Sequence, residues 1–400
     1  MNGARYAQIT GWGMYAPERV LTNDDLARVV DTSSEWIVSH TGIRERHIVV
    51  DAKETTASMA VRAAREALLV ANVPPHRIDL VIVATITPEY AFPSTASLVQ
   101  DAIGASHAGA FDLSAGCSGF IYALSLASDA IRAGSANNVL VIGSETLSRV
   151  TDWTDRNTCV LFGDGAGAVV VSASAERCGV MAASLGSDGS GGELLILPGG
   201  GSRIPATHES VSNGEHFIKM NGREVYRFAT TVIPKATEAV VQKAGWQLSE
   251  LAQVIPHQAN SRIIESAIKR LGLPADRFFI NLDRYGNTSA ASIPIALCEA
   301  IAEGRIKAGD KLVMVGFGAG LTWASVAVEW GVPVPLKPRP WWQRWPTTIF
   351  FGWAGIRSVV RRGIRHVYNW ILGPVGKDDW RGRLRQRTDR VRQDIRNRRS

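Results

Sequence analysis

The sequence lacks several features that would place it quickly. Its 400 residues include four cysteines, at 117, 159, 178 and 298, with no Cys-x-x-Cys pair and no Cys/His ligand spacing. That argues against a disulfide framework or a zinc site and fits a reducing compartment. No apolar stretch reaches the roughly eighteen residues that a membrane-spanning helix needs. The opening residues, Met-Asn-Gly-Ala-Arg-Tyr, have no apolar signal-peptide centre. The expectation is therefore a cytoplasmic protein. Acidic residues are scarce in one region only. Residues 335–400 carry 17 Lys+Arg and 4 Asp+Glu, a net charge of +13, whereas residues 1–334 carry 27 and 33, a net of −6. The same tail holds six of the twelve tryptophans. An acidic body and a basic, aromatic tail meet at residues 331–340, Gly-Val-Pro-Val-Pro-Leu-Lys-Pro-Arg-Pro, too proline-rich for helix or central strand.

What is present is enough apolar chain for a large core, 46% hydrophobic with 20% charged. Apolar runs expected to be buried strands lie near 9–17, 78–85, 108–113, 138–144 and 166–173, with helices at 57–71, 96–103 and after 117. Asn or Asp is expected to cap a helix near 23, and Thr32-Ser-Ser-Glu35 reads as a capping box. A second series follows: helices at 222–244, 259–271 and from 289 to about 303, strands at 252–256, 311–316 and 323–330. Strands alternating with helices twice over imply two βαβ-rich halves, 1–175 and 176–334, followed by the extension 335–400.

Residues 111–120, Phe-Asp-Leu-Ser-Ala-Gly-Cys-Ser-Gly-Phe, put Cys117 where a strand gives way to a helix. The positive end of a helix favours thiolate, although a buried cysteine among small residues is more often inert packing. His257 follows a strand in His-Gln-Ala-Asn and, taken alone, is as readily a core histidine. Asn287, in Tyr-Gly-Asn-Thr-Ser-Ala-Ala-Ser (285–292), can donate from its amide, or simply cap a helix. Gly316-Phe-Gly-Ala-Gly320 is either a tight turn or a loop offering backbone N–H groups to an oxyanion. A nucleophile, a nitrogen base, an amide donor and an N–H-rich loop form the inventory of acyl transfer through a thioester.

These motifs, in this order, resemble the β-ketoacyl-acyl carrier protein synthase III family of thiolase-like condensing enzymes. The resemblance rests on residues 31–47, on Ala115-Gly-Cys-Ser-Gly119, on Phe162-Gly-Asp-Gly-Ala-Gly167, on His257-Gln-Ala-Asn260 and on Gly286-Asn-Thr-Ser-Ala-Ala-Ser292. It covers nearly all of residues 5–330 and none of 335–400. It implies an α/β fold, the thiolase-like five-layered αβαβα arrangement built from two related halves, and a homodimer. It implies a triad of Cys117, His257 and Asn287. Cys117 takes an acyl group from acyl-CoA, and His257 and Asn287 stabilise the enolate formed when malonyl-acyl carrier protein loses carbon dioxide. Gly318, Ala319 and Gly320 would complete the oxyanion loop, with Ala319 where relatives often have glycine. Trp36 and Arg156 match the pair that sandwiches the CoA adenine. Asn260 and Arg262 match positions along the pantetheine and phosphate side, and Phe92 matches a phenylalanine that caps the partner's acyl pocket. His40 stands where many relatives have arginine. No metal and no resident cofactor are implied, since acyl-CoA and acyl carrier protein are substrates. The pathway could be fatty-acid initiation or a specialised metabolite; a membrane-docking protein with a vestigial enzyme body is the reading from another class.

In the tail, Ile349, Trp353, Ile356, Val360, Ile364, Val367 and Ile371 share one helical face, with Arg357, Arg361, Arg362 and Arg365 to its sides. Trp341, Trp342 and Trp345 precede it. A basic amphipathic helix of this kind suits a membrane surface, so 341–400 could hold the enzyme peripherally at one, or pack on protein. Residues 381–399, with nine arginines, are expected to be disordered. No base-reading module accompanies them, so nucleic acid is not the expected partner.

Overall fold

A computed structural model of the chain describes residues 4–333 and, in the tail, residues 357, 360, 361, 363, 364 and 367. The chain divides into two units, Met1–Phe351 and Gly352–Ser400. Apart from those six tail residues, the expected extension lies outside the described residues.

The first unit holds two large sheets, besides two short two-stranded ribbons. One is made of β1 (Tyr6–Tyr15), β2 (Leu80–Ala84), β3 (Gly109–Leu113), β4 (Asn138–Thr146) and β5 (Asp164–Ser174), in the lateral order β1-β5-β4-β2-β3. β2 runs parallel to β3 and β4, and β5 antiparallel to β4 and β1. The other is made of β6 (Gly179–Ser187), β7 (Leu251–Pro256), β8 (Lys311–Gly318) and β9 (Thr322–Glu329), in the order β6-β9-β8-β7. β7 and β8 are parallel, and β9 is antiparallel to β8 and β6. A parallel bridge from Val254 to Phe278 adds a rudimentary strand outside β7. With that segment counted third, both sheets read 1-5-4-2-3 in their own chain order. The halves repeat in topology although their residues show no repeat.

Seven helices matter to the site: α1 (Ser34–Thr41), α2 (Thr56–Ala71), α3 (Thr95–Ile103), α4 (Gly119–Arg132), α5 (Gly222–Lys243), α6 (Ser261–Leu271) and α7 (Ser292–Ala302). Ala60, Ala64 and Val99 of α2 and α3 pack on Val81, Val83, Leu140 and Ile142 of the first sheet. Alternate residues of the same strands, Ile82 and Val141, face inward onto Phe120, Leu124, Ile293 and Leu297 of α4 and α7. From the far side, Ile255, Met314 and Val326 meet that same central helical layer. Val254, Val313 and Val315 face out onto Ala229, Ile233, Ile264 and Ala267 of α5 and α6. The result is the expected αβαβα stack. Each central strand is apolar on both faces because each face has a helix against it. The alanines of α2 allow a close approach: a Cβ on Gly11 of β1 would lie 2.2 Å from the Ala67 carbonyl oxygen.

Two local expectations need correcting, and one strand was not expected. Thr22, not Asn23 or Asp24, caps the short helix Asn23–Leu26, in a capping box with Asp25. Ser33, not Thr32, caps α1, accepting from the Trp36 N–H. β6 went unread because Gly-Val-Met-Ala-Ala-Ser-Leu-Gly-Ser is rich in small residues with little strand preference.

Candidate active site

The site forms where strands of the two sheets end beside the central helices. After β3 the chain makes a single 3-10 turn, Gly116–Ser118, and enters α4. Gly116 takes φ +55° there and faces the loop after β8, since a Cβ would come 2.6 Å from the Ala319 nitrogen. Gly318 is equally constrained, with its missing Cβ 2.3 Å from the Cys117 nitrogen. The Ser118 hydroxyl donates to Thr322 Oγ1 at 2.8 Å, and Thr322 donates to the Ala115 and Ala319 carbonyls at 2.9 and 3.0 Å. These bonds fasten the Cys117 turn to the glycine loop. Ala319 is outside the left-handed region, so its methyl adds no backbone strain.

Cys117 is 6% exposed. Burial pushes its thiol up to about 12, and the nearby Glu145 carboxylate raises it further, against the lowering by Ser289 and by the backbone of Cys117 itself. The helix terminus was expected to favour thiolate. Desolvation outweighs it, and the resting group is the thiol.

His257 leaves β7 and is 1% exposed. Its Nδ1 lies 2.6 Å from Ser292 Oγ at the start of α7, while Nε2 is buried with no partner. Burial drives the imidazole down to about 3, so it is neutral in ordinary buffers. With the Ser292 hydroxyl donating to Nδ1, Nε2 carries the hydrogen and can donate it. Gln258 holds this turn, donating to the Pro256 and Phe279 carbonyls at 2.7 and 3.1 Å and accepting from the Asn281 N–H at 3.1 Å. Asn287 accepts the Ser289 N–H on Oδ1 at 2.9 Å, which fixes the amide and leaves Nδ2 to donate elsewhere.

One cavity of about 350 Å³ is lined by Cys117, His257, Asn287, Phe317 and Gly318, and also by Trp36, His40, Asn260 and Arg223. It thus joins three buried chemical groups to half-buried and exposed side chains. Other candidates stand apart from it. Ala319, Gly320, Arg156 and Arg262 are not in its wall. The Arg156 guanidinium lies over the Trp36 ring at 4.8 Å, leaving no space for a base between them, and donates to the Asp31 carbonyl at 2.9 Å. His40 stacks on Trp36 with centroids 4.3 Å apart. Asn260 caps α6 through the Arg262 N–H and donates to the His40 carbonyl at 3.0 Å. Phe92 is 87% exposed and is not part of this cavity's wall. Among the described residues no group of three or more His, Cys, Asp or Glu is placed to hold a metal ion. Reading by motif missed Ser292, Gln258 and Thr322, which orient the chemical groups. The signal for Ser292 was its place at the end of a quoted motif; Thr322 carried none.

Comparison with known proteins gives the same frame. Residues 111–189 match the family model for 3-oxoacyl-[acyl-carrier-protein (ACP)] synthase III, and residues 241–330 match the model for its C terminal part. The chain is 53% identical over 324 residues to a β-ketoacyl-[acyl-carrier-protein] synthase III of Caldanaerobacter subterraneus, a match covering 81% of this chain and 98% of the relative. A crystal structure of 3-oxoacyl-[acyl-carrier-protein] synthase III from Aquifex aeolicus superposes with a TM-score of 0.75 at 48% identity, covering 81% of this chain and all of that one. The priming β-ketosynthase of the R1128 polyketide pathway superposes with a TM-score of 0.76 at 37% identity, covering 83% of this chain and 98% of that one. About a fifth of this chain thus has no counterpart in the Caldanaerobacter or Aquifex relatives.

Proposed function

The chain belongs to the β-ketoacyl-acyl carrier protein synthase III family, and from that premise we propose that it starts acyl chains by decarboxylative condensation. Cys117 attacks the thioester of an acyl-CoA and keeps the acyl group. Malonyl-acyl carrier protein then loses carbon dioxide. The resulting enolate oxygen accepts hydrogen bonds from His257 Nε2 and Asn287 Nδ2, and its carbon attacks the acyl-Cys117 carbonyl. Backbone N–H groups of Cys117 and of the 318–320 loop hold the tetrahedral oxyanion. A neutral histidine suits this role, because it donates a hydrogen bond without giving up a proton. The observation that carries the reading is the orphaned, buried Nε2 of His257 in the same cavity as the Cys117 thiol and the Asn287 side chain. These steps need no resident cofactor. Intact-protein mass spectrometry after exposure to a panel of acyl-CoAs tests it: the parent gains one acyl group and Cys117→Ala gains none. Equal labelling of the two would overturn the nucleophile assignment.

Two assembly readings follow. Tyr90 and Phe92 are 57% and 87% exposed, and Phe111 is 39% exposed on the edge strand β3. An apolar patch along an open sheet edge supports a homodimer joined there. In the tail, Val360, Ile364 and Val367 lie on a helix and are 50%, 60% and 55% exposed. An apolar helical face with arginines beside it supports docking on an anionic lipid surface. Among the described residues no helix is long and apolar enough to cross a membrane. Flotation with anionic vesicles should carry the full chain and leave a 1–334 truncation behind; equal behaviour of the two would overturn docking.

A further inference from the structure

That chemistry leaves two buried groups beside Cys117 unused. Glu145, on β4, has no solvent exposure. Its carboxylate accepts from Thr85 Oγ1 at 3.0 Å, from the Ile86 and Thr87 N–H groups at 3.1 Å and from Thr87 Oγ1 at 2.6 Å. All four donors come from the exit of β2. No ion pair to Glu145 exists among the described residues. Its titratable neighbour is the Cys117 thiol, and the other groups facing it are neutral hydroxyls and backbone N–H groups.

Ser289 is the second group. It opens the 3-10 turn Ser289–Ala291, which runs directly into α7 as the turn Gly116–Ser118 runs into α4. Both turns start with a left-handed residue, φ +55° at Gly116 and +49° at Ser289. Glycine takes that conformation freely, whereas any side chain there is strained. The hydroxyl that this strained position carries is buried and has no partner at full hydrogen-bonding geometry. Its turn packs against both the Cys117 turn and β4, the strand that carries Glu145, and the hydroxyl is near enough to lower both the Cys117 thiol and the Glu145 carboxyl. A hydroxyl at that junction, held by no hydrogen bond of its own, is free to turn towards either group.

We propose that Ser289 and Glu145 form a proton relay that serves Cys117 during transfer of the acyl group from CoA. The proposal rests on the acyl-transfer reading above. As the Cys117 sulfur bonds to the acyl carbon, its S–H proton passes to Ser289 Oγ, and the Ser289 proton passes to Glu145. The bond from the acyl carbon to the CoA sulfur breaks. The departing thiolate recovers a proton from Glu145 through Ser289, so the carboxylate is restored and no proton is gained or lost overall. Glu145 touches no substrate and acts through Ser289, so it is a positioning residue rather than a catalytic one.

The neighbouring groups favour this route. His257, held down to about 3, is too weak a base to keep the thiol proton. Desolvation raises Glu145 to about 7, against the lowering by its Thr87, Ile86, Thr85 and Ser289 donors, so it is the more basic acceptor. Protonating it also removes the negative charge that disfavours a Cys117 thiolate. A local acceptor matters most when acyl-CoA fills the cavity and excludes water.

The test measures acyl-Cys117 formation by rapid quench and intact mass, across about pH 5.5–9, for the parent, Glu145→Gln, Glu145→Asp, Ser289→Gly and Ser289→Thr. Alkylation of the unliganded enzyme by iodoacetamide is the control. The parent rate should rise through about pH 7. Glu145→Gln and Ser289→Gly should transfer at least ~10-fold more slowly and lose that limb, while Glu145→Asp and Ser289→Thr retain part of it. Alkylation should not slow in Glu145→Gln, since water reaches the open cavity and a like charge has gone. Loss of alkylation and transfer together would show a merely distorted turn and overturn the relay. Survival of the limb in Glu145→Gln and Ser289→Gly would also overturn it. Ser289→Gly relieves backbone strain, so it remains informative if Glu145→Gln does not fold. A parent that never forms acyl-Cys117 would instead defeat the acyl-transfer reading itself.

Discussion

The two halves of the catalytic body share one strand order and place different chemistry on it. In each, the second strand ends beside the central helices, at Thr85 in the first half and His257 in the second. In each, a three-residue turn precedes a central helix, so Gly116-Cys117-Ser118 corresponds to Ser289-Ala290-Ala291. The nucleophile's counterpart is Ala290, 1% exposed, and the counterpart of Ser289 is a glycine. One backbone plan thus brings Cys117 from the first half and His257, Asn287 and Gly318 from the second to a single cavity. In the proposed reaction the first half supplies the attacking thiol, and the second supplies the donors that hold the negative charge as it develops. A repeated fold can thus divide a reaction into its two chemical demands without a new scaffold for either.

Breaking each half at its chemical residue gives the largest contrast. Cys117→Ala should abolish acyl-enzyme formation, seen as no mass increase with any acyl-CoA. His257→Ala should still acylate, but its condensation with malonyl-acyl carrier protein should fall ~10²–10³-fold or more, the cost of removing one oxyanion donor. Loss of acylation in both would mean that the halves are not chemically separate.

Exchanging the turns is the next contrast. Gly116→Ala puts a methyl 2.6 Å from the Ala319 nitrogen and 2.9 Å from its carbonyl oxygen. Overpacking together with the left-handed backbone should lower unfolding free energy by ~2–4 kcal/mol in urea titrations. Ser289→Gly removes strain from the matching position, and its stability should stay within ~1 kcal/mol of the parent. Equal losses would show that the two turns are not equivalent.

Acid and base dependence separates the halves more gently. Glu145, raised from 4.5 to about 7, keeps its proton in the folded state when the unfolded chain has lost it. Its contribution is therefore full below about 4.5 and is lost as pH rises through about 7. His257, lowered from 6.5 to about 3, has the opposite sign: its contribution is full above 6.5 and is lost as pH falls towards 3. Thermal melts of Glu145→Gln should therefore gain on the parent as pH rises from 5 to 8, and a constant offset would contradict the raised carboxyl. The smallest effect should come from outside both halves. A chain ending at residue 334 should perform both half-reactions on soluble substrates within about twofold of the full chain, on the general tolerance of chain ends to truncation.

Much of this comparison was legible in the sequence. Strands buried on both faces, such as Leu80–Ala84, stand out as unbroken apolar runs. Cys117, His257 and Asn287 sit in small-residue turns whose order carries the family resemblance. The repeat of strand order was not legible, because β6 is written in glycine, alanine and serine and the strand at Phe278 is a single bridge. Glu145 left a faint trace as the one charge in Asn138–Thr146, an otherwise apolar and small-residue strand. The strain at Ser289 left none, since a backbone angle has no residue signature when the residue is not glycine. Helix caps slipped by a residue because Thr32, Ser33 and Ser34 are chemically interchangeable until the backbone chooses among them.

If Trp36 and Arg156 receive the CoA adenine, the stack of Arg156, Trp36 and His40 separates the two thioester donors. Where an adenine is expected to lie, the chain already keeps its own guanidinium on the indole, tethered to the Asp31 carbonyl. Were a CoA adenine to take that place, it would displace the guanidinium from the indole and break its hydrogen bond to the Asp31 carbonyl. A thioester borne on a carrier protein has no adenine and competes with nothing. On that reading the protein's own guanidinium stands in for the base, and loosening it would favour the CoA donor while leaving the carrier-borne one as it was.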